Sequence, residues 1–139
     1  MRYLADTVTL SEMRRGAKAN PGILRWQMDL GEIWISVITL NETRFGLQKV
    51  RRSDLAFAEL LAAWYARLVA QPDRFRILPV DRPIAELAAD FRFAHSTSIN
   101  DSLIAATAKI HALTLVTRNV ADFTPTGVPV LNPWDKVEK

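Results

Sequence analysis

The chain has 139 residues, 49% hydrophobic and 24% charged, proportions that suit one compact domain spanning 1–139 and exclude a disordered chain. Cysteine is absent, which excludes a disulfide framework, a thiolate nucleophile and a thiolate zinc site. The net charge of +3 permits a polyanionic partner without requiring one, and the bias of the basic residues toward arginine suits phosphate recognition or a GC-rich genome equally.

Tyr3-Leu4-Ala5 reads as the end of a first strand, Arg2–Ala5, that stops at Asp6. Leu10–Gly16 is expected as a short helix and Pro21–Leu30 as a second, starting on proline and ending before Gly31. Ile33–Ser36 carries β-branched and aromatic residues together, a strand signal, and a helix is expected from Ile38 to Val50. Ser53 and Asp54 form a capping signal ahead of an alanine- and leucine-rich helix running to Ala70. That helix is the densest apolar stretch, but Glu59 and Arg67 interrupt it well short of the roughly 18 uncharged residues of a membrane span. Phe75–Leu78 is a short strand. Asp81 to His95 repeats apolar residues at helical spacing, and Ser98–Asn100 caps an apolar helix over Asp101–Ala112. Leu113–Thr117 and Val128–Leu131 are the last strands. Strands alternating with helices imply βαβ units, hence an α/β fold with a mainly parallel central sheet and helices on both faces. The first residues reach the carboxylate of Asp6 too soon for a signal peptide, so a cytoplasmic protein with no membrane attachment is expected.

In open parallel sheets function gathers at the carboxyl ends of the strands. Asp6 follows the first strand, and Asn119 and Asp122 follow Leu115-Val116-Thr117. Glu42 lies early on the helix after the second strand, one turn from Ile38 and Phe45, which places it beside the core-facing stripe. Asp101 opens the most apolar helix, where the helix dipole favours a carboxylate. Each acid has a plainer reading: Asp6 as a helix cap, Asp101 as a helix-start acid, Glu42 as a solvated helix residue and Asp122 as a loop acid. Convergence distinguishes the readings. Four carboxylates at one sheet edge repel one another unless a cation neutralises them, and all-oxygen ligands suit Mg²⁺ or Mn²⁺.

Other chemistries lack their signatures. The five glycines are isolated, so there is no phosphate-binding glycine loop, and no serine sits in a Gly-x-Ser-x-Gly turn. His95 is assigned to a surface loop, His111 to a helix C-terminus, and the four tryptophans mostly to core packing.

Four segments together resemble the PIN-domain ribonucleases, and within them the VapC/FitB-like toxins of toxin–antitoxin modules. They are Tyr3-Leu4-Ala5-Asp6-Thr7, Ile35-Ser36-Val37-Ile38-Thr39-Leu40-Asn41-Glu42, Asn100-Asp101-Ser102-Leu103-Ile104-Ala105-Ala106-Thr107-Ala108, and Leu115-Val116-Thr117-Arg118-Asn119-Val120-Ala121-Asp122-Phe123. The ending Val128-Pro129-Val130-Leu131-Asn132-Pro133-Trp134 is similar to the FitB-type tail. The resemblance implies a three-layer α/β/α PIN-like fold and Mg²⁺- or Mn²⁺-dependent hydrolysis of RNA. It also implies a homodimer and a cognate VapB-like antitoxin whose tail crosses the pocket. By the family pattern Asp6, Glu42, Asp101 and Asp122 are the metal-binding acids, and Thr7, Thr117 and Asn119 the supporting polar residues. Arg14, Arg15, Arg44 and Arg118 are candidates for RNA phosphate contacts, with a solvated helix end an equal reading of Arg14-Arg15. One position departs from the pattern: Val8 stands where the family usually has asparagine, and valine neither donates nor accepts a hydrogen bond. A catalytically weakened PIN fold that binds an antitoxin or RNA is therefore the alternative to an active endoribonuclease.

Overall fold

A computed structural model describes residues 1–135; residues 136–139 of the expected domain lie outside the described ones. Five strands, β1 (Tyr3–Ala5), β2 (Ile33–Ser36), β3 (Phe75–Leu78), β4 (Thr114–Val116) and β5 (Val130–Leu131), form one sheet in the order β3-β2-β1-β4-β5. Every pairing is parallel. Seven α-helices connect them among the described residues: α1 (Thr7–Met13), α2 (Pro21–Met28), α3 (Val37–Arg51), α4 (Leu55–Val69), α5 (Arg82–His95), α6 (Ile99–Ile110) and α7 (Val120–Phe123). None of them is long and apolar enough to cross a membrane.

Side chains alternate across each strand, and the core divides accordingly. Leu4, Trp34 and Leu115 face α5 and α6, packing with Ile84, Phe91, Ile104 and Phe123. Ile35 faces the other way and packs with Leu10 of α1 and Leu68 of α4, with Trp64 and Phe75 at the edge. Helices on both faces of a parallel sheet make the three-layer α/β/α architecture.

Helix boundaries follow side-chain caps that satisfy the first free backbone N–H groups. Asn20, Ser36, Asp54, Asp81 and Ser98 accept from Gly22, Ile38, Phe57, Ile84 and Asp101 respectively. The first helix begins three residues earlier than its apolar pattern indicates, because Asp6 caps it by accepting from the Thr9 N–H at 2.9 Å. For the same reason α6 begins at Ile99, which puts Asp101 in its first turn, not at its first residue. Between the last two expected strands, where the sequence pattern assigns no element, the structure has α7 and a following 3-10 turn over 124–126.

The strand order positions the site. From β1 the chain moves outward to β2 and β3, then returns to place β4 on β1's other side. The carboxyl ends of β1 and β4 therefore flank the point where the winding reverses, and connections leaving in opposite directions open a crevice there.

Candidate metal centre

Asp6 leaves β1 at this crevice. Its backbone N–H continues the ladder to the Val116 carbonyl at 3.1 Å, so the carboxylate is held rigidly between the two strands. The residue is only 5% exposed, and burial pushes its carboxyl above the usual carboxylate range. Hydrogen bonds from Thr117 and Thr9 oppose that rise, and the charge of Glu42 adds to it. Thr117 is itself buried, its hydroxyl oxygen accepting from the Asn119 N–H at 3.0 Å, which leaves its proton directed elsewhere.

Glu42 reaches the crevice from α3. Thr7 donates to its Oε1 at 2.5 Å and the Asn100 side-chain amide donates to its Oε2 at 3.3 Å. Thr39 Oγ1 lies 3.2 Å from the same Thr7 hydroxyl. Glu42 is half-buried, but not for the reason its spacing suggests: Phe45 is 65% exposed and lies against Lys49, so no apolar stripe encloses the acid. Long-range polar contacts from α1 and α6 hold it instead. Asn100, Thr39 and Thr9 are the supporting residues that sequence reasoning missed. Asn100 stands directly beside Asp101, the one local signal that could have raised it.

Asp101 enters from the first turn of α6, whose residues Ser102 and Ile104 to Ala108 are buried. Its carboxyl is raised, chiefly by burial and further by Glu42, Asp122 and Asp6, while Ser98 opposes the rise. Asp122 is exposed on α7, and it and Asp101 line the same cavity of about 310 Å³ beside His95 and Thr97. Asp101 thus feels the charges of Glu42, Asp122 and Asp6, and Asp6 that of Glu42, though these acids arrive from α1's cap, α3, α6 and α7. Among the described residues no three of them are gathered tightly enough to hold an ion as they stand. The donor set nonetheless suits a hard divalent cation: it is all oxygen, partly withdrawn from water, and carries mutually repelling charges that a cation would offset. Each Glu42 oxygen also keeps lone-pair capacity beyond its one hydrogen bond.

Asn119 contributes through its backbone, its carbonyl accepting from the Asp122 N–H at 3.1 Å, while its side chain makes no capping bond. Of the basic candidates, Arg14 lies over Phe57 and lines an apolar groove between α1, α3 and α4 that also reaches Thr7 and Glu42. Arg44 points out from α3. Arg15 pairs with Glu12 at 3.1 Å, and Arg118 is exposed over Trp134. Val8 is 43% exposed on the first turn of α1, and none of the hydrogen bonds around Asp6 or Glu42 runs through it.

The PIN domain family matches residues 3–123, nearly all of the described chain and every acid of the site. The chain belongs to the PIN domain family. Toxin FitB of Neisseria gonorrhoeae (strain ATCC 700825 / FA 1090) is 34% identical over 94% of this chain and 97% of that protein. VapC ribonuclease Y4jK of Sinorhizobium fredii (strain NBRC 101917 / NGR234) is 31% identical over 94% of this chain and 96% of that protein. The crystal structure of FitAcB from Neisseria gonorrhoeae superposes with a TM-score of 0.76 at 31% identity, covering 95% of this chain and 98% of that one. This PIN chain therefore falls among the VapC/FitB toxins, whose length it shares.

Proposed function

We propose that this protein is a divalent-metal-dependent endoribonuclease toxin held inactive by a cognate antitoxin. The observation that supports the reading is the electrostatic coupling of Asp101 with Glu42, Asp122 and Asp6, acids from separate elements, with the Asp6 and Asp101 carboxyls raised by burial and by this repulsion. Kinship with a toxin and a VapC ribonuclease supports RNA as the substrate.

Asp6 and Asp101 would hold Mg²⁺ or Mn²⁺ directly, with Glu42 and Asp122 completing the shell or holding its waters. Such an ion supplies a water of lowered pKa and offsets the charge of the phosphate under attack. Thr7 and Asn100 orient Glu42, and Thr117 orients Asp6, so each of these two carboxylates is held at the crevice while the set as a whole closes further around an ion. Without an ion the pocket would repel a phosphodiester, which makes the arginines at its margin necessary for affinity.

A nuclease of this kind must be restrained in the cell that makes it, and a protein antitoxin placing a cation among the acids would both fill the crevice and neutralise it. A homodimer is the expected assembly, with the exposed Leu55 and Leu60 of α4 available for its contact. The binding-module alternative rested on Val8, which takes no part in the hydrogen bonds around the acids; the catalytic reading is the stronger one.

Cleavage of mixed cellular RNA by the purified protein, with Mg²⁺, with Mn²⁺ and with EDTA, tests this. Cleavage that needs the metal and disappears in Asp6→Asn and Asp101→Asn is expected. An intact RNA pool under both metals would reject it.

A further inference from the structure

A cavity of about 280 Å³ opens beside the acidic crevice, between the end of α1, the 3-10 turn Gly16–Lys18, the start of α2 and the loop after β4. Arg15, Lys18 and Arg118 line it against a single carboxylate, Glu12. That carboxylate is already committed: its Oε2 accepts from the Asn20 N–H at 2.7 Å and from Arg15 at 3.1 Å. Neither Lys18 nor Arg118 has an ion-pair partner among the described residues. The cavity is thus an anion site by charge, and besides Ala19, Asn20 and Pro21 its wall includes an indole: the Arg118 guanidinium lies 6.0 Å from the centre of the Trp134 ring.

Trp134 is in place because the C-terminal tail is latched onto the start of α2. Asn20 Oδ1 accepts from the Asp135 N–H at 2.9 Å while Asn20 Nδ2 donates to the Asp135 carbonyl at 3.1 Å. Arg25 pairs with the Asp135 carboxylate. Gly22 makes the approach possible, since a Cβ there would lie 1.9 Å from the Pro133 carbonyl oxygen and 2.7 Å from the Asp135 nitrogen. The two sites are also joined through the chain. Arg118 follows Thr117, which bonds to Asp6, and α1, about 10 Å long at 1.5 Å per residue, runs from the Asp6 cap to within two residues of Arg15.

We propose that this cavity is a second RNA subsite, in which Arg15, Lys18 and Arg118 hold the phosphate of a nucleotide flanking the cleaved bond while Trp134 abuts its base. This rests on RNA being the substrate. The physical need is plain: an acidic crevice gives a polyanion no affinity of its own, so binding must come from cations beside it. An arginine presents its donors in a planar fork that suits a phosphate, and an aromatic ring beside it accepts any base by stacking.

The test uses the full chain, a short fluorescein-labelled single-stranded RNA of mixed sequence, and anisotropy in EDTA across a salt series, with cleavage kinetics in Mg²⁺ alongside. In the Lys18→Ala/Arg118→Ala double variant, binding should weaken at least roughly tenfold, the loss of charged hydrogen bonds. Its log K against log salt slope should fall by about 0.7, since the three cations share one phosphate and each single-strand phosphate contact contributes about 0.7. KM should rise by more than kcat falls. Trp134→Ala should weaken binding roughly fivefold or more through lost stacking. Gly22→Ala, checked by circular dichroism to be folded, should reproduce the Trp134→Ala effect by displacing the tail. If the protein cleaves RNA but the double variant keeps the salt slope and KM of the parent, the subsite is overturned and the nuclease reading stands. If the parent binds RNA without cleaving it and the slope falls as expected, the subsite stands and the nuclease reading is overturned. A parent that neither binds nor cleaves overturns both.

Discussion

Replacing Asp6 by asparagine should make the metal-free protein more stable at neutral pH while abolishing its activity. Burial holds the Asp6 carboxyl above its ordinary value in the folded chain. Between the unfolded midpoint and that raised one, the folded state carries the proton that the unfolded state has lost. Stability therefore falls as pH rises through this window, and above it the penalty is constant. The penalty is about 1.4 kcal/mol for each pH unit separating the two midpoints. Asparagine carries no charge, keeps the volume, and remains a good N-cap, so the bond from the Thr9 N–H survives. Alanine loses that cap as well, and Asp6→Ala should be about 1 kcal/mol less stable than Asp6→Asn at every pH. Urea unfolding in EDTA, followed from the ordinary carboxylate range up to mildly alkaline pH, measures both differences. The advantage of Asp6→Asn over the parent should shrink toward the acid end and reach its full value at the alkaline end. Because Asp101 is raised in the same direction, the variant should retain a smaller pH slope of the same sign. An Asp6→Asn protein less stable than the parent at alkaline pH would refute the assignment of Asp6 as a carboxylate held at a cost for function.

Other expectations follow from the same geometry. Divalent ions should reverse the Asp6 penalty: at a hundred times its dissociation constant, Mg²⁺ or Mn²⁺ should stabilise the parent by about 2.7 kcal/mol in thermal or urea unfolding, and should do little for Asp101→Asn. Thr7→Val removes the 2.5 Å bond that orients Glu42 and should lower metal-dependent cleavage roughly 10–100-fold without changing the fold, as read by circular dichroism and initial rates. Val8→Asn introduces the family's usual residue at an exposed position and should shift the unfolding free energy by less than about 0.5 kcal/mol. The same variant should leave turnover within a few-fold of the parent; a large gain in cleavage would show that position 8 limits the enzyme. Leu60→Asp, on the exposed face of α4, should shift the protein toward monomer in sedimentation analysis.

Much of this protein is legible one segment at a time. The strands at Ile33–Ser36 and Phe75–Leu78 coincide with their apolar, β-rich runs, and the proline starts and Asp or Ser caps place most helices within a few residues. Where boundaries moved, at α1 and α6, a cap extended the helix beyond its apolar face, since a side-chain oxygen satisfies free N–H groups whatever the hydrophobic pattern. The candidate acids are legible in sequence as four carboxylates set just after strands or near the start of helices. What sequence does not give is the strand order behind their expected convergence, because β4 lies beside β1 through a pairing between residues more than a hundred positions apart.

The neighbours that tune the site belong to tertiary structure for the same reason. The spacing of Ile38, Glu42 and Phe45 suggests an apolar surround, yet Phe45 turns to solvent and Glu42 is held by Thr7 and Asn100, from helices 35 positions before it and 58 after. Sequence gives the indole of Trp134 no particular place, and it becomes part of the wall of a basic cavity because Gly22 lets the tail close over α2. Local patterning sets which elements form, since caps and periodicity act within a turn or two. Which carboxylates share a crevice, and which cations stand beside it, is decided when those elements pack, because burial and electrostatic coupling are properties of what the folded chain brings together.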